Sequence, residues 1–177
     1  MPALRALAAA AISLSGLAAC QQGIVAALPW QTPTVPPAEE ALAAQCAGDA
    51  EIAARIDAAV NDARQGRGKT PLAGAPLLAQ VAQSHACDMA RTGRVDVEGS
   101  NGSSVVDRAR AVRYPVCGVA QLVGRGGGPA DAVARWIGQE AQRTELLGQS
   151  SRQVGSGYAT GVDGVAYYSV VLGDDCG

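Results

Sequence analysis

Two β-prone runs near the C-terminus, Val154 to Thr160 and Val165 to Leu172, flank Gly161-Val162-Asp163-Gly164. Valine and tyrosine suit a pleated surface, and an Asp-Gly turn between such runs predicts an antiparallel hairpin. The helical periodicities all lie ahead of it. EIAARIDAAVNDAR places Ile52, Ile56, Ala59, Val60 and Ala63 at helical spacing, with Gly66 and Gly68 as stops. APLLAQVAQSHACDMARTG carries a stripe of Leu78, Val81, His85 and Met89 and ends at Gly93. Ser104-Val105-Val106-Asp107 is a capping-box pattern, which starts a short helix through Arg113. Pro129 suits the first position of a fourth helix, PADAVARWIGQEAQRTELLG, because no N–H is missed there. Val116 to Val123 reads as a further strand. Helices ahead of late antiparallel strands predict an α+β domain with helices packed on a sheet.

Residues 1–19 are expected to be a signal peptide rather than part of the domain. Arg5 is followed by an apolar run that ends in small residues. That run is shorter than the roughly 20 residues a membrane span requires. Leu17-Ala18-Ala19-Cys20 looks like a bacterial lipobox, which would attach lipid to Cys20. Residues 20–45 contain Pro29, Pro33, Pro36 and Pro37, so they read as a lipidated cysteine followed by a semi-extended tether. Trp30 within it suits the level of lipid headgroups. The domain then runs from 46 to 177.

The chain has five cysteines, and an odd number in an exported protein needs explaining. With Cys20 lipidated, Cys46, Cys87, Cys117 and Cys176 remain for two disulfides in an oxidising compartment. Four cysteines allow three pairings. No two are spaced as C-x-x-C, which argues against zinc. The net charge is −2 and Lys69 is the only lysine, so there is no clustered basic face for nucleic acid.

The motifs occur in a definite order: S-H-A-C-D-M-A-R, G-S-N-G-S-S-V-V-D-R, R-Y-P-V-C-G, A-V-A-R-W, Q-R-T-E-L-L, V-G-S-G-Y-A and Y-Y-S-V-V-L-G. Together they resemble bacterial members of the CAP superfamily, the SCP-domain proteins, over roughly Ile52 to Gly173. The resemblance implies a three-layer α-β-α sandwich. It also implies a cleft with two histidines and one or two acidic residues, some of which bind a divalent metal. Here the implied cleft positions are changed. Val97 stands where the family's F-S-H-x-G-x-D-G has histidine. Val119 stands where G-E-N has glutamate, and Gln142 where H-R-x-x-L-L has histidine. Valine has neither lone pair nor proton to offer. His85 matches a different family position, H-x-x-D-M-A on the second helix. No metal and no cofactor are therefore expected.

His85 is the chain's one histidine. On an apolar stripe it reads as a core residue, and burial favours its neutral form. The catalytic alternative pairs His85 with Asp88 as base and orienter, with Ser100 or Ser103 as nucleophile. Asp88 and Arg91 are spaced for a helix-surface pair. Gly124 to Gly128 runs into a helix start, where anions can bind, but lacks the Lys-Ser/Thr of a P-loop, and a mobile loop is the expectation. Asp96, Glu98, Ser100 and Asn101 lack the spacing of a calcium loop. Trp136 is expected in the core. The favoured disulfides are Cys87–Cys117, tying the second helix to the strand after R-Y-P-V, and Cys46–Cys176, tying the domain's start to its end.

The leading expectation is a non-catalytic, envelope-anchored SCP-type binding or structural module with a degenerate cleft. It would face the periplasm, be held to the membrane by its lipid, and have a lipid, a glycan or a protein as ligand. The alternatives are a hydrolase of envelope peptides or lipids using His85 with Asp88, and a passive envelope protein without ligand.

Overall fold

Asp49 opens the first helix, α1 (Ala50–Gln65), by accepting the Glu51 and Ile52 N–H groups on Oδ1 at 3.0 Å each. In this computed structural model residues 41–42, 46–174 and 176 are described. The expected signal segment, Cys20, Trp30 and nearly all of the tether lie outside them. Helix α1 is followed by the two-residue strand β1 (Ala73–Gly74), α2 (Pro76–Thr92), α3 (Val105–Ala111) and β2 (Gly118–Arg125). Then come α4 (Pro129–Gly138), α5 (Glu140–Leu146), β3 (Gln153–Thr160) and β4 (Ala166–Asp174).

The strands form one sheet in the order β1-β3-β4-β2. The expected hairpin is β3–β4, antiparallel from Gln153↔Gly173 to Thr160↔Ala166. Strand β2 pairs antiparallel with the outer side of β4, from Gly118↔Asp174 to Arg125↔Tyr167, and β1 pairs parallel with β3. The two-residue alternation of the strands makes two cores. Leu122, Val154, Tyr168, Val170 and Leu172 face α1 and α4–α5 through Ile56, Val60, Val133, Trp136 and Leu146. Val171 faces Leu78, Val81 and Ala82 of α2 and Ala109 of α3, while Ala159 and Tyr167 meet Ala86 and Met89. The result is the three-layer α-β-α sandwich that the motifs imply.

Helix α2 crosses β3 at very short range, and the G-S-G of β3 makes this possible. A Cβ on Gly155 would lie 2.1 Å from the Ala79 nitrogen, and one on Gly157 2.3 Å from the Ala82 carbonyl carbon. These glycines are therefore packing requirements, not turn residues. Polar staples hold the periphery. Arg64, 1% exposed, donates to the carbonyls of Thr70, Leu146 and Gly148 at 2.7–2.9 Å, joining the end of α1 to the end of α5. The Asn61 amide exchanges two hydrogen bonds with the Leu72 backbone.

Three expectations are corrected. The fourth helix is two helices, because Gln139 is extended (φ −107, ψ 125) immediately after Gly138. The strand expected at Val116 to Val123 begins and ends two residues later. The disulfides are Cys46–Cys87 and Cys117–Cys176, with Cα separations of 5.6 and 5.2 Å, not Cys87–Cys117 and Cys46–Cys176. The cause is register. Gly118 lies opposite Asp174, so the residues just beyond the two strand ends, Cys117 and Cys176, become neighbours. Cys87 lies on the layer that packs Ala159 and Tyr167, away from the start of β2. No helix among the described residues is long and apolar enough to cross a membrane.

Candidate functional site

His85 is fully buried on α2, on the stripe its spacing predicts. Its Nε2 lies 2.6 Å from the Asp96 carbonyl oxygen. A carbonyl only accepts, so Nε2 carries the proton and Nδ1 presents a bare lone pair, which has no partner. Burial pushes the imidazole pKa from 6.5 down to about 4. The nearby Arg108 cation adds to this, while the Asp96 carbonyl and the Asp88 charge oppose it. The ring is therefore neutral at physiological pH and acts as a donor to the backbone of the 93–99 loop.

The Asp88 carboxylate is committed elsewhere. Oδ2 accepts the Ser100 N–H at 2.7 Å; Oδ1 accepts the Ser100 hydroxyl at 2.5 Å and Arg91 Nη2 at 2.7 Å. Burial works against the charge, but these hydrogen bonds prevail and hold the carboxyl below its usual range. The Arg91 pair is the expected one, with Asp88 itself almost wholly covered. Asp88 does not hydrogen-bond His85. Both candidate nucleophiles are occupied: Ser100 Oγ donates to Asp88, and Ser103 Oγ accepts from Arg108 at 2.9 Å. These groups thus lock the loop 94–104 onto α2.

In the sequence Arg108 is only a residue near a helix start, and its burial is not anticipated. The Ser104–Asp107 capping box forms as expected and turns Arg108 inward. Fully covered, Arg108 donates to the carbonyls of Ser103 and Val97 at 2.7 and 2.8 Å, and to Gln121 Oε1 at 2.6 Å. Gln121 passes the chain on to Ser169 at 2.9 Å. Desolvation lowers the guanidinium pKa to about 10, which still leaves it charged at neutral pH. The capping box is the available signal: it sets the phase of α3.

The three residues expected at cleft positions, Val97, Val119 and Gln142, do not come together. Val119 lines a depression of about 160 Å³ at the base of β2, with Ala120, Glu145, Ser150 and Asp174 around it. Gln142 lies one turn before Glu145 on α5, and its buried Oε1 has no partner. Val97 is half exposed and does not line the depression; its carbonyl is taken by Arg108. Among the described residues no three His, Cys, Asp or Glu side chains converge. Two valines and one amide do not fit the divalent metal that the family's cleft implies. Roomier grooves lie elsewhere and are open. One of them, about 440 Å³, runs over Ala50, Ala53, Ala54 and Ala79. Its buried edge holds Ser156, which donates to Asp57 at 2.5 Å, and burial raises the Asp57 pKa against that bond.

The remaining candidates are structural. The 124–128 loop is tied down rather than loose: Arg135 donates to the Arg125 and Gly126 carbonyls, and Tyr168 to that of Gly127. Asp131 already accepts the Gly128 N–H at 2.8 Å, so a side chain fills the anion position at the start of α4. Asp96 accepts the Glu98 N–H and pairs with Arg94 at the surface. Trp136 is buried and donates to the Val123 carbonyl at 2.8 Å.

A family model described as CAP, cysteine-rich secretory protein family, matches residues 58–172. No curated protein matches by sequence. Among solved structures, an outer surface protein from Borrelia burgdorferi aligns with a TM-score of 0.65 and 14% identity, covering 73% of this chain and 98% of that one. An extracellular SCP-domain protein from Bacillus anthracis aligns at 0.60 and 18% identity, covering 70% of this chain and 40% of that one. A cysteine-rich secretory protein from Staphylococcus aureus aligns at 0.55 and 17% identity, covering 69% of this chain and 38% of that one. At these identities the likeness is one of fold.

Proposed function

This chain belongs to the cysteine-rich secretory protein (CAP) family, and from that premise we propose that it is a non-catalytic, envelope-anchored binding or structural module. The observation that carries this reading is the sealed state of its one imidazole. His85 is fully buried and neutral, and is bonded to a loop carbonyl; the carboxylate beside it is saturated by Ser100 and Arg91. General acid–base chemistry needs a group within reach of substrate and a pKa near the working pH. His85 offers neither, and Val97, Val119 and Gln142 do not make up the loss. The depression at Val119 has Glu145 and Asp174 on its wall but no imidazole and no third donor converging with them among the described residues, which suits holding a ligand rather than turning one over.

Anchoring rests on the N-terminal sequence: a short apolar run ending in Leu17-Ala18-Ala19-Cys20. An envelope location also agrees with the outer-surface and extracellular descriptions of the structural relatives. Lipid on Cys20 would hold the domain on the periplasmic side, with the proline-containing segment as spacer.

Two measurements on protein extracted from its native membrane test the proposal. Intact-mass analysis is expected to show a diacylglycerol-modified Cys20 as the first residue; an unmodified or retained N-terminus refutes the anchor. Incubation with quenched-fluorescent peptides and lipid esters is expected to give no turnover above blank. Turnover that disappears in His85→Gln refutes the non-catalytic reading.

A further inference from the structure

The hydrogen-bond phase of β2 is fixed by its last pair. The Gly126 N–H reaches the Ala166 carbonyl at 2.8 Å, in register with the β2–β4 ladder, so even-numbered residues of β2 point their backbone groups at β4. Odd-numbered residues point theirs away, at the sheet's outer edge. Side chains cap the upper part of that edge. Trp136 Nε1 takes the Val123 carbonyl at 2.8 Å, and Arg135 Nη2 takes that of Arg125 at 3.1 Å. On the opposite edge, where β1 ends at Gly74, the Gln83 amide takes both backbone groups of Tyr158. Between Val119, partly buried, and Gln121, 9% exposed, no side chain among the described residues caps the edge in the way that Trp136 and Arg135 do. The ladder with β4 leaves their backbone N–H and C=O groups unused. An uncovered edge is a template for strand addition, which proteins ordinarily blunt.

The 160 Å³ depression opens at this same stretch. Ala120 lies on its wall, on the face that looks toward α5, with Glu145 beside it. Asp174, also on the wall, is within 3.9 Å of Arg152, whereas Glu145 makes no ion pair among the described residues. A strand added to this edge would bond to Val119 and Gln121. Its residue opposite Ala120 would point onto the Glu145 side, and its two neighbours onto the side of Val119.

We propose that the edge of β2 between Val119 and Gln121 accepts an extended peptide segment, with a basic residue opposite Ala120 seated against Glu145 and apolar residues on either side. This deepens the reading of the chain as a non-catalytic binding module and rests on it. The pattern required of the partner is short: apolar, basic, apolar, in extended conformation.

The test is a nitrogen-15 NMR titration of the full chain with the capped pentapeptide Thr-Val-Lys-Val-Thr, with Thr-Val-Glu-Val-Thr as control. Saturable shifts are expected at the Val119 and Gln121 amides, with slowed exchange, and about tenfold weaker binding of the glutamate peptide. Val119→Pro removes an outward donor and no ladder bond, so it is expected to abolish the shifts while the remaining spectrum is kept. Glu145→Gln, a surface change, is expected to weaken the lysine peptide selectively. No shift at these amides at millimolar peptide, equal binding of both peptides, or binding that survives Val119→Pro overturns the proposal. Mass analysis of the peptide after titration separates the two claims. A cleaved peptide with shifted edge amides keeps the docking edge and refutes the non-catalytic reading. An intact peptide without shifts refutes the docking edge alone.

Discussion

Lowering the pH from 7 to 5 should destabilise this domain through a single side chain, His85. Its folded pKa is about 4 against 6.5 when unfolded. Between those values the unfolded chain binds a proton that the native state refuses, so stability falls as the solution is acidified from pH 6.5 toward 4. The full contribution is about 3 kcal/mol. Integrated only from pH 7 to 5, it is about 2 kcal/mol. The upper window matters, because the carboxyls of Asp88, Asp96 and Asp107 are held below their usual range and stay ionised through it. Asp57 is raised by burial and acts in the opposite sense, but it is shared by wild type and variant. The assay is urea unfolding at pH 7 and pH 5, followed by far-ultraviolet circular dichroism with disulfides intact. A loss of about 2 kcal/mol corresponds to a midpoint shift of about 1 M at ordinary urea slopes. His85→Gln can still donate to the Asp96 carbonyl and cannot titrate. It is expected to lose the pH dependence, whatever its absolute stability. A flat wild-type response, or the same slope in the variant, would refute the buried neutral imidazole and with it the argument against acid–base catalysis.

Asp88→Asn removes the charge from the bonds to Ser100 and Arg91, and urea unfolding at pH 7 is expected to show a cost of about 2 kcal/mol; an unchanged midpoint contradicts the saturated carboxylate. Peptide mapping of unreduced protein is expected to return Cys46 with Cys87 and Cys117 with Cys176. The double variant Cys117→Ser/Cys176→Ser is expected to lose about 2–4 kcal/mol in the same unfolding assay. Gly155→Ala drives a methyl group into the α2 backbone at Ala79 and is expected to cost about 3 kcal/mol or abolish soluble expression; a neutral result would mean that α2 does not lie against β3 as closely as described.

Local patterning carried much of the architecture. The stripe of Leu78, Val81, His85 and Met89, the capping box at Ser104, the hairpin around Gly161–Gly164 and the proline start of α4 are rules of a few residues, and each appears where its rule places it. The break at Gln139 was hidden because the helical residues on either side keep their period across it. Strand β1 is only two residues long and has no pattern to read. The candidate site was legible in part. The burial of His85 followed from its stripe, whereas its bond to the Asp96 carbonyl and the commitment of Asp88 to Ser100 depend on how the 93–104 loop folds back.

What the sequence determined by itself, then, is the class of the domain and where its helices, caps and hairpin start, since periodicity, caps, turns and chemical type are local properties. Which cysteines pair, which way Arg108 points, how close α2 comes to β3 and which edge of the sheet stays unpaired were decided only by the tertiary structure. Each depends on strand register and on layers meeting across long sequence separations, and a one-residue change of register would reassign all of them.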